Sequence, residues 1–449
     1  MRAADLAQRR VAIWGLGREG RAAIRFLRQR HPAMPLLLLD DDREAQPPPG
    51  LADIACAFGA AQIAAALDRV DVIVKSPGVS LERDEIRAAG AKGIAVTSLI
   101  NLWFAERYPV TTICVTGTKG KSTTASLIAR ILERLGRAAA LAGNIGVPIT
   151  EIGAAARYAV IEVSSYQAAD FAGTCDLAVL TSLFPEHLDW HRSVENYYRD
   201  KVNLLRHARC RVVGRGAAAV VEQLVGEPRR PIVWFDDADA IHARDAEIFD
   251  AAVRIGPVGD PYLERPHNRS DLCAALTATK SLGVGPAEAL DAARGFAGLP
   301  HRQQELGTRG GVLFVDDSIS TIPESTIAAL EVYSGRDITV ILGGYDRGID
   351  YGKLVAELAK GTARRAVCLG DSGARIGAAL EAAAGLCSAC RVPSMAEAVA
   401  RAIRTTPPGG VVLLSPAAPS YGDYHDFSER GRDFAARAGF APPETGSSR

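Results

Sequence analysis

The 449-residue chain has no net charge, with 52 Lys and Arg against 52 Asp and Glu. That balance gives no basic surface for nucleic acid and no reason to expect an acidic membrane as partner. No uninterrupted apolar run reaches the roughly 18 residues of a membrane-spanning helix. The opening MRAADLAQRRVAIWGLG also lacks the apolar core of a signal peptide, so a cytoplasmic protein without membrane insertion is expected. Eight cysteines are scattered without a framework, mostly in apolar stretches such as ICVTG and AVCLG, and free buried thiols are expected. Cys387-Ser-Ala-Cys390 has CxxC spacing, but no second pair or nearby histidine completes a zinc site. Lysine is scarce as well, at eight of the 52 basic residues. A lysine in a candidate site is therefore informative, because an amine and a guanidinium differ in chemistry.

What is present is α/β alternation over a length that suggests about three domains. We read residues 1–108 as a Rossmann-like domain, 109–299 as a central P-loop domain with a mostly parallel sheet, and 300–449 as a second Rossmann-like domain. The first segment runs from strand VAIW (11–14) through Gly15-Leu16-Gly17-Arg18-Glu-Gly20 and a helix to strand LLLL (36–39) and Asp40. That is a βαβ unit with GxGxxG and a following acid, a weak dinucleotide signal when taken alone. DVIVKSPGV (71–79) predicts another strand, ending in the turn Ser76-Pro77-Gly78. In the centre, TTICV, AVIEVSSYQ and LAVLTSL read as buried parallel strands, with helices over 121–135, 193–208 and 268–282. In the last segment VLFVDDS, ITVILGG, AVCLGDS and VVLLSP alternate with helical patterns, as a second parallel sheet requires.

The sharpest chemical signal is VTGTKGKSTT (115–124), a glycine turn between an apolar strand and an amphipathic helix. The usual P-loop has a glycine where this chain has Val115, yet the physics survives. Backbone N–H groups of Gly117, Thr118, Lys119 and Gly120 at a helix start can face phosphates, and Lys121 adds a compact charge. Ser122 or Thr123 can offer a hydroxyl to Mg²⁺. Glu162, at the tip of AVIEV, is where a Mg²⁺ ligand would sit. In Pro185-Glu-His187-Leu-Asp-Trp-His191, one histidine assisting Mg²⁺ or substrate phosphate is the expected arrangement, with His191 structural. Lys201 could simply pair with the neighbouring aspartate on a helix surface. An amine can alternatively lose its proton and take up CO₂, becoming an anionic carbamate and a metal ligand.

In order, TGTKGKST, EVSSYQ with Glu162, PEHLD, Lys201, HNRSDLCAAL, GLPHR and DDS resemble the Mur ligase family, over nearly the whole chain. GLGREG, KSPGV, AGNIG and LSPAAPSYGDYHDFSERG resemble its glutamate-adding type. The resemblance implies an ATP-dependent amide ligase of peptidoglycan precursor synthesis that acts through an acyl phosphate. It implies that Gly15, Leu16, Gly17, Arg18, Asp40, Ser76 and Gly78 hold the UDP group and that Asn144 and His187 meet the muramoyl substrate. It implies that Gly117 to Thr123 hold the ATP phosphates, Asn268 faces adenine, and Arg302 and Asp317 reach ribose and phosphates when the domains close. Ser122, Glu162, His187 and a carbamylated Lys201 would hold Mg²⁺, two ions in all, with Lys121, Lys201 and His187 catalytic.

The amino-acid end departs from the family pattern. Where the D-glutamate-adding type has DSKATN, this chain has Asp317-Ser-Ile319-Ser-Thr321-Ile322, losing a cation and an amide while keeping the threonine. A lysine expected after ILGG is absent, and Arg347 is the nearest replacement. Asp271 stands where an asparagine is expected. Ser420, Tyr421 and Phe427 still match positions that cradle a side-chain carboxylate. The pattern resembles a branch that adds L-glutamate to UDP-N-acetylmuramoyl-L-alanine, with a separate epimerase acting afterwards on a product of a monomeric ligase. The alternatives are the same ligation with D-glutamate, or a folylpolyglutamate-synthase-like ligase.

Overall fold

The computed structural model describes residues 1–45, 47, 54–226, 231–296 and 298–441. It divides into two units, Met1–Phe296 and Ala297–Arg449. Among the described residues, no helix is long and apolar enough to cross a membrane.

The first unit holds two sheets. Five short strands, β1 (Val11–Trp14), β2 (Leu36–Asp40), β3 (Ala55–Phe58), β4 (Val72–Lys75) and β5 (Ala95–Ser98), form a parallel sheet in the order β3-β2-β1-β4-β5. β1 and β4 lie in the middle, and all four residues of each are buried. Strands covered on both faces must be apolar throughout, and both are, except for Lys75. Reversal of strand order about β1 and β4 puts the Gly15 loop beside the Ser76 turn, at the carboxyl ends of the strands.

The second sheet contains β6 (Thr111–Thr116), β7 (Ala139–Gly143), β8 (Tyr158–Glu162), β9 (Cys175–Leu180), β10 (Ala208–Gly214), β11 (Ile232–Phe235), β12 (Ile241–Arg244), β13 (Glu247–Asp250) and β14 (Val253–Pro257). Their order is β14-β13-β12-β11-β10-β9-β6-β8-β7. β6 to β11 are parallel and β12 pairs parallel with β11; β12, β13 and β14 then pair antiparallel with one another, an extension that the apolar pattern does not predict, because these strands are short and half-exposed. β6 sits between β8 and β9, so the loop after it emerges between Glu162 and Thr181. The helix Lys121–Arg134 buries Ala125, Leu127, Ile128, Ile131 and Leu132 against the sheet and the helix Pro266–Lys280.

The two sheets of this unit meet through specific polar contacts. An Arg18 guanidinium N–H donates to the Gly143 carbonyl at 2.5 Å, the Trp190 indole donates to the Gly78 carbonyl at 3.1 Å, and Lys75 faces Asp170 at 3.6 Å.

The second unit has one sheet of six strands: β15 (Gln304–Arg309), β16 (Val312–Asp316), β17 (Ile338–Leu342), β18 (Arg365–Cys368), β19 (Ser388–Arg391) and β20 (Val411–Leu414). The order is β15-β16-β20-β17-β18-β19, with β15 antiparallel on one edge and the rest parallel. The CxxC stretch lies at edge strand β19, with both thiols free. On the helix Phe427–Ala438, Arg430 is buried and donates to Ser318 Oγ at 3.0 Å, the Ser318 carbonyl at 2.8 Å and the Ala418 carbonyl at 3.0 Å. It thereby ties together the two strand-end loops that carry Asp317 and Ser420.

Asp317 is buried beyond the end of β16, accepting from Ser320 Oγ (2.6 Å), Ser415 Oγ (2.7 Å) and the Gln303 amide (3.1 Å). Burial outweighs these bonds and raises its carboxyl from 3.8 to about 6. The folded state thus holds this proton more tightly than the unfolded chain does. The group's contribution to stability is full below pH 3.8 and is lost as the pH rises through about 6. Asp317→Asn does not titrate, so relative to the parent it should gain about 3 kcal/mol across that window. Denaturant melts of both chains at a series of pH values check this, and a parent-to-variant gap independent of pH contradicts it.

Candidate active site

β6 delivers the chain into the glycine loop at Gly117, with φ of 151°, and Gly120, with φ of 82°, both reserved for residues without Cβ. Space forbids a side chain too: a Cβ at Gly117 would lie 1.9 Å from Thr181 Oγ1, and one at Gly120 would lie 2.0 Å from Asp271 Oδ1. The loop is braced along its length. Thr118 N donates to the Ser182 carbonyl (2.8 Å) and Lys119 N to Ser182 Oγ (2.9 Å). Thr118 Oγ1 lies 2.9 Å from both the Phe184 carbonyl and the Tyr197 hydroxyl, and Thr181 Oγ1 donates to the Lys119 carbonyl at 2.6 Å. Lys121 Nζ lies 2.9 Å from the Thr118 carbonyl, and Lys119 Nζ reaches Glu186 at 2.7 Å. Ser122 and Thr123 are buried in the first helical turn, where unpaired backbone N–H groups and the helix dipole favour an anion.

Around this loop, polar groups are buried with few partners. Glu162, at the end of β8, accepts from Asn144 Nδ2 at 2.7 Å through Oε1, while Oε2 is buried without a hydrogen bond. Lys201, on the helix Val194–Arg206, is 2% exposed and donates from Nζ to the Gly117 carbonyl at 2.6 Å. Burial, reinforced by Lys121, pushes its amine well below the usual lysine range. The neighbouring Asp200 binds His191 Nδ1 at 2.6 Å instead, and His191 Nε2 meets Ser165 Oγ at 3.0 Å. The surface Lys201–aspartate pair is therefore excluded, and His191 is a buried brace. His187 sits in the left-handed region at φ of 55°, and burial lowers its pKa against the pull of Glu186. Among the described residues, no cluster of three or more His, Cys, Asp or Glu could hold a metal.

In the first sheet, Asp40 is committed to the glycine loop itself, accepting from the Leu16 amide at 2.7 Å through Oδ2. Ser76 Oγ donates to the Gly15 carbonyl at 2.7 Å, and Arg18 is engaged with Gly143. Gly15 to Arg18, Asp40, Ser76 and Gly78 therefore form one connected cradle, with Asn144 and His187 on the neighbouring sheet's side of the same unit. Sequence reasoning missed Trp190, Tyr166, Thr181, Ser182 and Tyr197, which support these loops. Only the polar end of LAVLTSL hinted at Thr181 and Ser182.

Other expected residues are already engaged or belong to the second unit. Asn268 is buried, and its Nδ2 donates to the Tyr262 carbonyl at 2.8 Å. Asp271 is buried behind Gly120, and burial raises its carboxyl well above the usual range. In the second unit, Arg347 donates to the Thr321 carbonyl at 3.2 Å, bringing those two predicted residues together. Ser420 is buried, Tyr421 is exposed beside Tyr345 (6.3 Å between centroids), and Phe427 begins the last helix with its ring 6.1 Å from His301. Arg302 and Asp317 lie in the same unit.

Residues 9–98 match the Mur ligase MurD-like N-terminal domain, residues 115–224 the Mur ligase middle domain and residues 301–418 the Mur ligase glutamate ligase domain. A protein of Xanthomonas campestris pv. campestris (strain 8004), named UDP-N-acetylmuramoyl-L-alanine--L-glutamate ligase, is 40% identical over 98% of this chain and 97% of its own length. A Salinispora tropica protein of the same name is 41% identical over 97% of this chain and 98% of its own. Solved structures share the fold. The UDP-N-acetylmuramate-alanine ligase MurC of Thermotoga maritima has a TM-score of 0.55 at 19% identity, covering 96% of this chain and 99% of its own. A MurF structure from Acinetobacter baumannii has a TM-score of 0.56 at 18% identity, covering 90% and 86%.

Gly120→Ala brings a Cβ into both a left-handed backbone and the Asp271 carboxylate, so the loop must move. ATP affinity should fall by about tenfold or more, since such a backbone strain is on the order of 1–3 kcal/mol. Titration with a fluorescent ATP analogue measures it, and parent-like affinity would show that the loop does not bind nucleotide.

Proposed function

The chain belongs to the Mur ligase family of ATP-dependent, ADP-forming amide ligases, and from that premise we propose that it joins L-glutamate to UDP-N-acetylmuramoyl-L-alanine. The names of the relatives at 40% identity over nearly full length support the substrate pair. The observation that carries the chemistry is the convergence of the Gly117–Thr123 loop, the unpaired Glu162 oxygen and the buried Lys201 amine.

In this reading the loop amides and Lys121 bind the ATP β- and γ-phosphates. Adenine lies toward Asn268 and Asp271. The residues present fit Mg²⁺: Ser122 offers a hydroxyl, Glu162 an oxygen with no other partner, and His187 a neutral imidazole. Mg²⁺ there supplies charge neutralisation on the phosphates. Lys201, low in proton affinity and nearly dry, is the amine suited to add CO₂, releasing one proton and becoming a carbamate. That modification would turn a buried amine beside the loop into an anionic group able to hold a second ion.

The carboxylate of the alanyl group attacks the γ-phosphorus, and ADP leaves. The amine of glutamate then attacks the acyl carbon of the acyl phosphate, and inorganic phosphate leaves through a tetrahedral intermediate. The cradle of Gly15 to Arg18, Ser76 and Gly78 holds the UDP end, and Asn144, fixed by Glu162, meets the muramoyl group. Residues of the second unit, Thr321, Arg347, Ser420, Tyr421 and Phe427, take the incoming amino acid, with an arginine able to clamp a carboxylate bidentately. We place the reaction in the cytoplasm, carried out by a monomer, with a separate epimerase acting on its product.

Phosphate release with UDP-N-acetylmuramoyl-L-alanine, ATP and each glutamate enantiomer tests the assignment. Turnover is expected with L-glutamate. Turnover with D-glutamate alone would overturn the stereochemical reading, and turnover with neither would overturn glutamate as substrate. Lys201→Ala should lose about 100-fold or more in kcat and recover part of it with added acetate or formate. A near-parent rate for that variant would eliminate the carbamate.

A further inference from the structure

The turn Ser76-Pro77-Gly78 is held from two sides by one short helix of the neighbouring domain, Ser165–Ala169. Near its start, Tyr166 stacks on Trp190 with 4.6 Å between centroids, and the Trp190 indole donates to the Gly78 carbonyl at 3.1 Å. Ser80 Oγ returns a bond to the Trp190 carbonyl at 3.3 Å. At its end, Asp170 caps the helix and faces Lys75, the residue before the turn. The backbone there is pinned by Asn101, which donates to the Asp170 carbonyl at 2.8 Å and accepts from the Ala172 amide at 2.9 Å.

Lys75 Nζ and the Asp170 carboxylate are 3.6 Å apart, with side chains 0% and 10% exposed. Ser98 Oγ, opposite Lys75 across β4 and β5, and the local backbone lie close enough to favour the Asp170 carboxylate, which burial nonetheless pushes up, while among the described residues Lys75 Nζ makes no closer polar contact than this carboxylate. Among the described residues, Lys75 is the one oppositely charged side chain facing Asp170, so removing either member leaves the other in a dry site without its counter-charge. Lys75 also interrupts an otherwise apolar central strand, where Val or Ile would pack without such a demand. Stability alone does not explain a lysine there.

The contacts run unbroken on either side of the pair. Beyond Lys75, Ser76 N donates to the Trp14 carbonyl and Ser76 Oγ to the Gly15 carbonyl, both at 2.7 Å. Beyond Asp170, the helix leads back to its cap Ser164, two residues after Glu162. A cavity of about 490 Å³ opens beside this junction, lined in part by Gly78, Ser80, Tyr166 and Trp190.

We propose that the buried Lys75–Asp170 pair positions the Ser76–Gly78 turn relative to Glu162, fixing where a UDP-linked substrate is held with respect to the phosphate loop. The identity of that substrate rests on the function proposed above. Neither residue touches reacting atoms; both are positioning residues.

The test uses Lys75→Met, Asp170→Leu and the double variant of the full chain. Thermal melting, KM for the UDP-linked substrate, KM for ATP and amide hydrogen exchange of residues 76–80 are measured on each. Each single variant should melt lower and raise the UDP-substrate KM by about tenfold or more, with the ATP KM within about twofold. The double variant replaces two charges by two apolar groups and should regain stability. It should keep the raised KM and faster exchange at 76–80, because apolar packing does not reproduce a fixed charge contact. A double variant with parent-like KM and exchange overturns the proposal and leaves a purely structural pair. Should the singles fail to fold, the double alone decides. Should the parent show no turnover with the UDP-linked substrate, the proposed function falls while exchange at 76–80 still judges the pair.

Discussion

The bond from Lys201 Nζ to the Gly117 carbonyl joins the two features on which the candidate chemistry depends, the phosphate loop and a buried amine. Its length of 2.6 Å is possible because β6 lies between β8 and β9, which sends the loop out beside the helix Val194–Arg206. The same strand order brings Glu162 to one side of the loop and Thr181 to the other. Gly117 and Gly120 let the backbone come that close, since Thr181 and Asp271 occupy the space a Cβ would need. The loop is thus braced by contacts within the protein itself, and a preorganised cradle spends little of the binding energy on ordering.

Much of this was legible in the sequence, and the reasons differ by element. Buried parallel strands announce themselves as apolar runs, so β1, β4, β6, β8, β9, β16, β17 and β20 were all readable. The antiparallel β12 to β14 and edge strands β15 and β19 were not, because half-exposed strands of four to six residues carry no such run. The glycine loop was legible because its residues are demanded locally, by backbone sign and phosphate geometry. Trp190 and Tyr166 were not, because their roles arise only when residues far apart in the chain stack and reach the Gly78 carbonyl. GxGxxG with its acid shows the opposite hazard. Asp40 has the spacing of a ribose ligand, yet its Oδ2 holds the Leu16 amide of its own loop.

Stereochemistry was the least legible property. Two mirror-image amino acids present the same carboxylates and amine, so no spacing rule separates them. What distinguishes them is the order in which fixed groups surround the α-carbon. In the second unit Ile319 and Ile322 remove two polar groups expected from the D-adding pattern, while Arg347 is anchored on the Thr321 carbonyl. A planar guanidinium fixed at one end has fewer orientations than a lysine ammonium, and would discriminate more by angle if it meets the incoming carboxylate as proposed above.

The scarcity of lysine now has a physical reading. Three buried cations compare directly. Arg430 has a full set of acceptors, Ser318 Oγ and the carbonyls of Ser318 and Ala418, and burial still lowers it only to about 10. A guanidinium keeps its charge in the interior and must be satisfied. Lys201 has one carbonyl and a strongly depressed proton affinity, a position an arginine could not occupy without remaining charged and underpartnered. Lys75 has one carboxylate at 3.6 Å and nothing else among the described residues. Of the eight lysines, Lys119, Lys121 and Lys201 lie in or against the glycine loop and Lys75 is buried beside Asp170, while Lys92, Lys280 and Lys360 make exposed ion pairs. Scarcity only draws attention to an amine; burial and the partners it keeps are what set Lys75 and Lys201 apart from the exposed lysines.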